Sequence, residues 1–106
     1  NPAPPSRDVV VRNSCGTAVT IALRWYDPTA QDWRSGVWTL HDGAYSYLAS
    51  GDQNVATDHP TYLIHARTAQ GRDVISGSES RTVHGLSYPM RSVTAGSLPI
   101  SIRLCG

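Results

Sequence analysis

The chain has 106 residues, about the length of one domain, and its 40% hydrophobic residues suffice for a core. Its formal net charge is only +1, which excludes a strong electrostatic field for gathering nucleic acid or an anionic membrane. No apolar stretch approaches the roughly 20 residues that a membrane-spanning helix needs. The composition therefore favours a globular domain with no membrane span and no nucleic-acid partner.

Short runs of alternating apolar and polar residues predict a series of β-strands separated by turns rich in Gly, Pro, Asp and Ser. Residues 1–8 are proline-rich and predict an extended lead-in or linker, which precedes a single domain over residues 9–106. Strands are expected at residues 9–13, 18–26, 33–40, 44–50 and 61–68, near 74–75, within 81–93 and at 98–104. About seven or eight short strands without a helical stripe indicate an antiparallel β-sandwich, immunoglobulin-like or similar, with a small barrel as the alternative.

The two cysteines, Cys15 and Cys105, lie near opposite ends of the predicted domain. An even cysteine count in a small domain favours a disulfide and an oxidising compartment, and two inert buried thiols are the alternative. The bridge would close a loop of about 90 residues, worth roughly 4 to 5 kcal/mol in chain entropy. The first residue is Asn1, which fits a cleaved secretory signal or a cloned fragment. We therefore expect a secreted or periplasmic protein.

The region from Trp33 to Leu48 predicts an aromatic hairpin, because Asp42-Gly43 between two β runs is typical of a two-residue type I′ turn. That register would place four large side chains on one face: Trp38, Leu40, Tyr45 and Tyr47. Burial of this face in the sandwich core is the favoured interpretation. The alternative is an exposed platform for a sugar ring or an apolar partner.

Other residues outside that face are candidates for recognition. Trp33 would lie on the opposite face of the hairpin, near a loop, and is expected to be more exposed. The long polar segment 51–60, which includes His59, is typical of the edge loops that carry binding in sandwiches. The predicted ligand-binding residues are Trp33, Trp38, Tyr45, Tyr47 and His59.

The segment 86–92 is a second candidate interaction element. Proline keeps its backbone extended, and the side chains that could engage a partner are those of Leu86, Tyr88, Met90 and Arg91. As an exposed loop it could occupy a protease cleft or add to a sheet edge. The favoured interpretation is an edge strand in which Pro89 blocks further pairing.

Several short motifs follow one another over residues 9–70: VRNSC at 11–15, VTIA at 19–22, Trp33 with GVWTL at 36–40, Gly43, and YLIHA at 62–66. Their order resembles a bacterial family of small secreted or periplasmic β domains of unknown function. Members of that family read N-x-C, V-x-x-A, W-x-x-x-G-W-W, P-G and a Tyr-rich strand ending in Ala. This chain departs from the pattern at Val37 and Asp42, where Trp and Pro are usual. The resemblance implies an extracytoplasmic β domain, sometimes attached to other proteins, and supplies no catalytic residues. The opening strands also resemble the start of thaumatin-like proteins, which are longer and richer in cysteine.

The sequence offers little for catalysis or metal binding. The four histidines, His41, His59, His65 and His84, lack the short spacing of zinc ligands, and His65 in mid-strand is expected to face solvent. No G-x-S-x-G motif occurs, Glu79 is the only glutamate, and the aspartates mostly occupy turns. No catalytic residue, metal or cofactor is therefore predicted.

The expected function is that of a non-catalytic extracytoplasmic binding or accessory module that recognises a protein or a glycan. Such a module would be a monomer or part of a larger polypeptide. The first alternative is a protease-inhibitor or immunity-type protein acting through the segment 86–92. The second alternative is a small hydrolase.

Overall fold

The computed structural model describes residues 7–28, 30–50, 53–57, 59–96 and 100–105, and within them it has twelve strands and no helix. The strands are β1 (Arg7–Asn13), β2 (Val19–Asp27), β3 (Asp32–Leu40), β4 (Tyr45–Tyr47), β5 (Ala49–Ser50), β6 (Gln53–Asn54), β7 (Ala56–Thr57), β8 (Thr61–Thr68), β9 (Asp73–Ile75), β10 (Glu79–Val83), β11 (Leu86–Thr94) and β12 (Ile100–Leu104). Ten of them form two packed sheets and the other two, β5 and β6, pair with each other, so the predicted all-β sandwich is confirmed. Seven strands have five residues or more, and the shorter ones have too few residues for a visible alternation.

The first strand begins at Arg7 rather than at Val9, because Arg7 and Asp8 pair with β7. Residues 1–6 of the predicted lead-in lie outside the described residues. The same holds for residues 98 and 99, where the last strand was expected to begin. Within the described part of the chain, no helix has the length and apolarity required to cross a membrane.

In the smaller sheet, β1 lies between β12 and β4, and β7 pairs with the start of β1. The larger sheet has the order β10-β11-β8-β2-β3, with β9 paired to β8, while β5 and β6 pair with each other. One pair departs from the expected antiparallel arrangement: β1 and β12 run parallel, with Val11 opposite Ile102. Parallel pairing brings the ends of the first and last long strands to the same edge of the sheet.

The core lies between the two sheets and follows the period of two that strands require. In β12, for example, Ile100, Ile102 and Leu104 are buried while Ser101 and Arg103 are exposed. The buried core residues are Val9, Val11, Val19, Ile21, Leu23, Trp25, Leu40, Ala44, Leu48, Val55, Tyr62, Ile64, Ala66, Ile100, Ile102 and Leu104. Each large apolar side chain buried here contributes roughly 1.5 to 3 kcal/mol, so this interface is the main source of stability.

The predicted disulfide is present and joins the two parallel strands at their common end. Cys15 follows β1 and Cys105 follows β12, with 4.9 Å between their Cα atoms and 90 residues between them in sequence. Such a bridge is consistent with an oxidising, extracytoplasmic compartment. It connects the first long strand of the domain covalently to the last.

Asn13, the last residue of β1, is fully buried and connects three strands. Its Nδ2 group donates hydrogen bonds to the carbonyl oxygens of Thr17 at 3.0 Å, Leu40 at 3.1 Å and His41 at 3.0 Å. Its Oδ1 atom accepts a hydrogen bond from the backbone N–H of Cys15 at 3.0 Å. One side chain therefore joins the end of β1 to the segment before β2 and to the end of β3.

The predicted β3–β4 hairpin is wrong, because the chain leaves the larger sheet after Leu40 and β4 pairs with β1 instead. The backbone N–H of Asn13 donates to the Ala44 carbonyl at 2.8 Å, and the Asn13 carbonyl accepts from the Gly43 N–H at 3.0 Å. The backbone groups of Gly43 and Ala44 therefore hydrogen-bond to β1, whereas in a hairpin the residues after the turn would pair with β3. A type I′ turn needs positive φ at both central residues, whereas only Gly43 has it (81°) and Asp42 does not.

The larger sheet curls until β10, at one edge, lies close to β3 at the other. The curl occurs within β11, whose residues 86–90 pair with β10 and whose residues 91–94 pair with β8. A second apolar cluster fills the middle of the curl and draws on all five strands: Ala22, Val37, Leu63, Val83, Tyr88 and Met90. On either side of this cluster the curled sheet leaves an open cleft.

We expect Asn13→Ala to lower the free energy of unfolding by about 2 to 4 kcal/mol, because it leaves buried backbone groups without partners. Urea unfolding followed by tryptophan fluorescence measures the change. The matched control is Ser14→Ala at the exposed neighbouring residue, which should change the free energy by less than about 0.5 kcal/mol. A change equally small for Asn13→Ala would contradict the role of this side chain.

Candidate functional site

The larger of the two clefts, here called the Trp33 cleft, has a volume of about 330 Å³ and opens at one end of the curled sheet. The residues that line it are Arg24, Trp33, Thr61, Leu63, Glu79, Arg81 and Ser92. They come from all five strands of the curl, so the cleft exists only because β10 and β11 fold over β2 and β3. Clefts at the mouths of curled or closed sheets are common ligand sites.

Trp33 belongs to an aromatic cluster that forms one wall beside this cleft. Its ring centroid lies 5.8 Å from that of Tyr26 in an edge-to-face contact, and 5.5 Å from that of His59. The β2–β3 register places Tyr26 opposite Trp33, and hydrogen bonds between His59 and Thr57 hold the histidine backbone next to them. The structure therefore brings together two of the predicted ligand-binding residues, Trp33 and His59.

Three charged residues lie in the Trp33 cleft, and only two of them pair with each other. Arg81 donates from Nη1 to the Ser80 carbonyl at 2.8 Å and from Nη2 to Glu79 at 3.5 Å. The guanidinium of Arg24 lies over the Trp33 ring, 5.8 Å from its centroid. Within the described part of the chain, Arg24 has no ion pair and its side chain makes no hydrogen bond to protein. No local sequence pattern marks Arg24, Glu79 or Arg81 as a binding residue.

The predicted aromatic face of Trp38, Leu40, Tyr45 and Tyr47 does not exist, because β3 and β4 belong to different sheets. Tyr45 and Tyr47 lie on the outer side of the smaller sheet with 67% and 58% of their surface exposed, so their predicted burial is wrong. The expectation that Trp33 would be more exposed than this face is also wrong for these two residues, because Trp33 is half-buried.

Trp38, by contrast, is half-buried and packs against the edge of the core. It lies 6.0 Å from the ring of Trp25 and donates from Nε1 to the Ala49 carbonyl at 2.8 Å. It also covers Gly36, where a Cβ atom would come within 2.6 Å of the indole. Trp38 therefore acts in packing, and the structure does not bring it to the Trp33 cleft.

The segment 86–92 is part of the strand β11, as the favoured strand interpretation expects, and not an exposed loop. It is not an edge strand, however, because β11 pairs with both β10 and β8. Met90 is fully buried, Tyr88 is half-buried, and Arg91 donates from Nε to the Ser76 carbonyl at 3.1 Å. Only Leu86, at 62% exposure, presents a large apolar surface. The pairing of β11 with β8 begins at Arg91, just after Pro89, as expected for a residue that lacks an N–H donor.

A second cleft, the His65 cleft, lies on the other side of the inner cluster and has a volume of about 280 Å³. Its lining consists of Thr20, His65, Arg67, Thr68, Ala69 and Tyr88. His65 is only 3% exposed, against the expectation that it faces solvent, because Tyr88 covers it at a ring distance of 5.6 Å. Its partner is Asp73, whose Oδ1 lies 3.2 Å from His65 Nε2 and 2.9 Å from Arg67 Nε.

The His65 cleft lacks the arrangement that nucleophilic catalysis needs. Among the described residues, no hydroxyl is hydrogen-bonded to His65, whereas a catalytic pair requires a nucleophile within reach of its base. The described residues also contain no cluster of three or more His, Cys, Asp or Glu that could hold a metal ion. The pair of His65 and Asp73 is best explained as a contact that satisfies a buried imidazole.

A comparison of the chain with protein-family models, curated proteins and solved structures found no match. The resemblance to the family of small extracytoplasmic β domains therefore stays a prediction. Any functional conclusion depends on the geometry of the two clefts.

The hydrogen bond from Arg67, followed by that from His65, lowers the pKa of Asp73 below its ordinary value of 3.8. A lowered carboxyl pKa stabilises the fold above the ordinary value, and this stabilisation is lost as the pH falls through the lowered pKa. We therefore expect Asp73→Asn to be less stable than the wild type at pH 7, with a gap that closes as the pH falls below 3.8.

Urea unfolding at neutral pH and at about pH 3 measures that gap. The matched control is Asp8→Asn, since Asp8 has no ion pair in the described part of the chain, and its gap should be small at both pH values. A gap for Asp73→Asn that is absent at pH 7, or that is the same at both pH values, would contradict the assignment.

Proposed function

We propose that this protein is a non-catalytic extracytoplasmic binding module that recognises a glycan in the Trp33 cleft. The observation that carries the proposal is the combination of Trp33 with polar side chains in one open cleft. The Cys15–Cys105 bridge is consistent with the extracytoplasmic location.

The chemistry of the cleft suits a sugar ring. A pyranose has an apolar C–H surface that packs on an aromatic ring, and hydroxyl groups at its edges that need hydrogen-bond partners. Trp33 supplies the aromatic surface, and hydroxyls and charged groups surround it: Thr61, Ser92, Glu79 and Arg81. Both donors and acceptors are present, as a ligand with several hydroxyl groups requires.

The size of the cleft favours a glycan over a folded protein partner. Its volume of about 330 Å³ is at the lower end for small-ligand sites, which typically span roughly 300 to 1,000 Å³. A stable protein interface needs about 800 Å² from each partner and a larger, flatter surface. The inhibitor alternative loses its main support because the segment 86–92 is a paired strand.

We expect Trp33→Ala to weaken glycan binding by at least about tenfold, because the ring supplies the apolar contact surface. The experiment is a glycan array probed with the fluorescently labelled wild type and variants. Tyr47→Ala is the matched control: it removes a more exposed aromatic ring from the other sheet and should leave the array signals unchanged.

Two results would contradict the proposal. The first is a wild type that binds no glycan on the array. The second is a Trp33→Ala variant that remains folded by circular dichroism and retains the wild-type signals.

A further inference from the structure

Arg24 lines the Trp33 cleft and has no ionisable residue directly opposite it on either neighbouring strand. In register, it lies opposite Ser35 on β3 and Leu63 on β8, and neither side chain is ionisable. Its guanidinium is half-buried and lies over Trp33. The charge is therefore held at a defined place by packing on the indole.

The hydrogen-bond donors of Arg24 have no protein acceptor in the described part of the chain. A guanidinium that packs over an aromatic ring keeps N–H groups available to donate hydrogen bonds to a ligand. A carboxylate is planar and accepts two parallel hydrogen bonds from such a group. Arg24 is thus arranged to receive a carboxylate that the protein itself does not provide.

The charges of the cleft favour one negative charge on the ligand. Two arginines and one glutamate line it, so its net charge is +1. Arg81 already pairs with Glu79, which leaves Arg24 as the unneutralised cation. In a concave site the attraction between such a cation and an anionic ligand is stronger than on an open surface.

Building on the glycan-binding function proposed above, we infer that the sugar in the Trp33 cleft is a uronic acid whose carboxylate binds Arg24. The sugar ring contacts the part of the Trp33 indole that lines the cleft and that Arg24 does not cover. The hydroxyl groups of the ring face Thr61, Ser92 and the Glu79–Arg81 pair.

The test compares tri-galacturonic acid with its trimethyl ester, in which each of the three carboxylates is converted to an uncharged methyl ester. Isothermal titration calorimetry with the wild-type protein should show binding about 10- to 100-fold tighter for the acid, as expected for charge-assisted hydrogen bonds. Raising the ionic strength from about 0.05 M to 0.5 M should weaken binding of the acid and leave the affinity for the ester unchanged. Equal affinities for the two ligands would overturn the inference while leaving glycan binding in place. If neither ligand binds, the inference is wrong. The glycan array then tests separately whether the protein binds another glycan.

Arg24→Gln should remove the preference for the acid, so that the acid and the ester bind with similar affinity. The matched control is Arg34→Gln, at the neighbouring position to Trp33, because Arg34 pairs with Asp27 and does not line the cleft. The Arg34→Gln variant should keep the full preference for the acid over the ester. If the preference for the acid survives in Arg24→Gln, or is lost in Arg34→Gln, the carboxylate binds somewhere other than Arg24 and the inference is wrong. A sulfated galactan trisaccharide provides a last comparison, and tighter binding of the sulfate than of the carboxylate would also overturn the inference.

Discussion

The architecture depends on the buried amide of Asn13. Two amide protons are shared among three carbonyl oxygens from two other segments, and the amide oxygen orients the chain toward Cys15. Buried polar groups that lose their partners cost more than the net value of the bonds they make, so a buried Asn specifies one arrangement strongly. This arrangement fixes where β1 ends, where β3 ends and where the disulfide forms. It also directs β4 into the smaller sheet.

The two sheets consequently have different roles. The smaller sheet joins the first and last long strands and is held by the Cys15–Cys105 bridge. The larger sheet curls over itself, because Pro89 limits the pairing between β11 and β8 and the pairing of β8 with β9 shifts register between Ala66 and Arg67. A sheet that curls around a small apolar cluster leaves a cleft on either side of that cluster. One cleft gathers an aromatic ring and charges, and the other holds a satisfied His–Asp pair.

Local patterns predicted the β-sandwich and the disulfide, since alternation and cysteine count are read directly from the sequence. The ligand-binding roles of Trp33 and His59 stay predictions. The hairpin was missed for a physical reason: Asp42-Gly43 signals a turn but does not say which strand pairs with the next one. That choice is made by Asn13, whose side-chain partners lie 4, 27 and 28 residues away. The burial of His65 also could not be predicted locally, because it depends on contact with Tyr88, which is distant in sequence. Arg24 had no signal in the sequence, because its significance comes from its position over Trp33 in the cleft, which only the fold creates.

The most direct test of the account is a ¹H–¹⁵N NMR titration of the assigned protein with tri-galacturonic acid. We expect the largest shift changes at Arg24, at the Trp33 indole N–H, and at the amides of Leu63 and Ser92, all within one cleft. Changes centred on Tyr45 and Tyr47, on the outer side of the smaller sheet, would contradict the account. So would a spectrum that does not change.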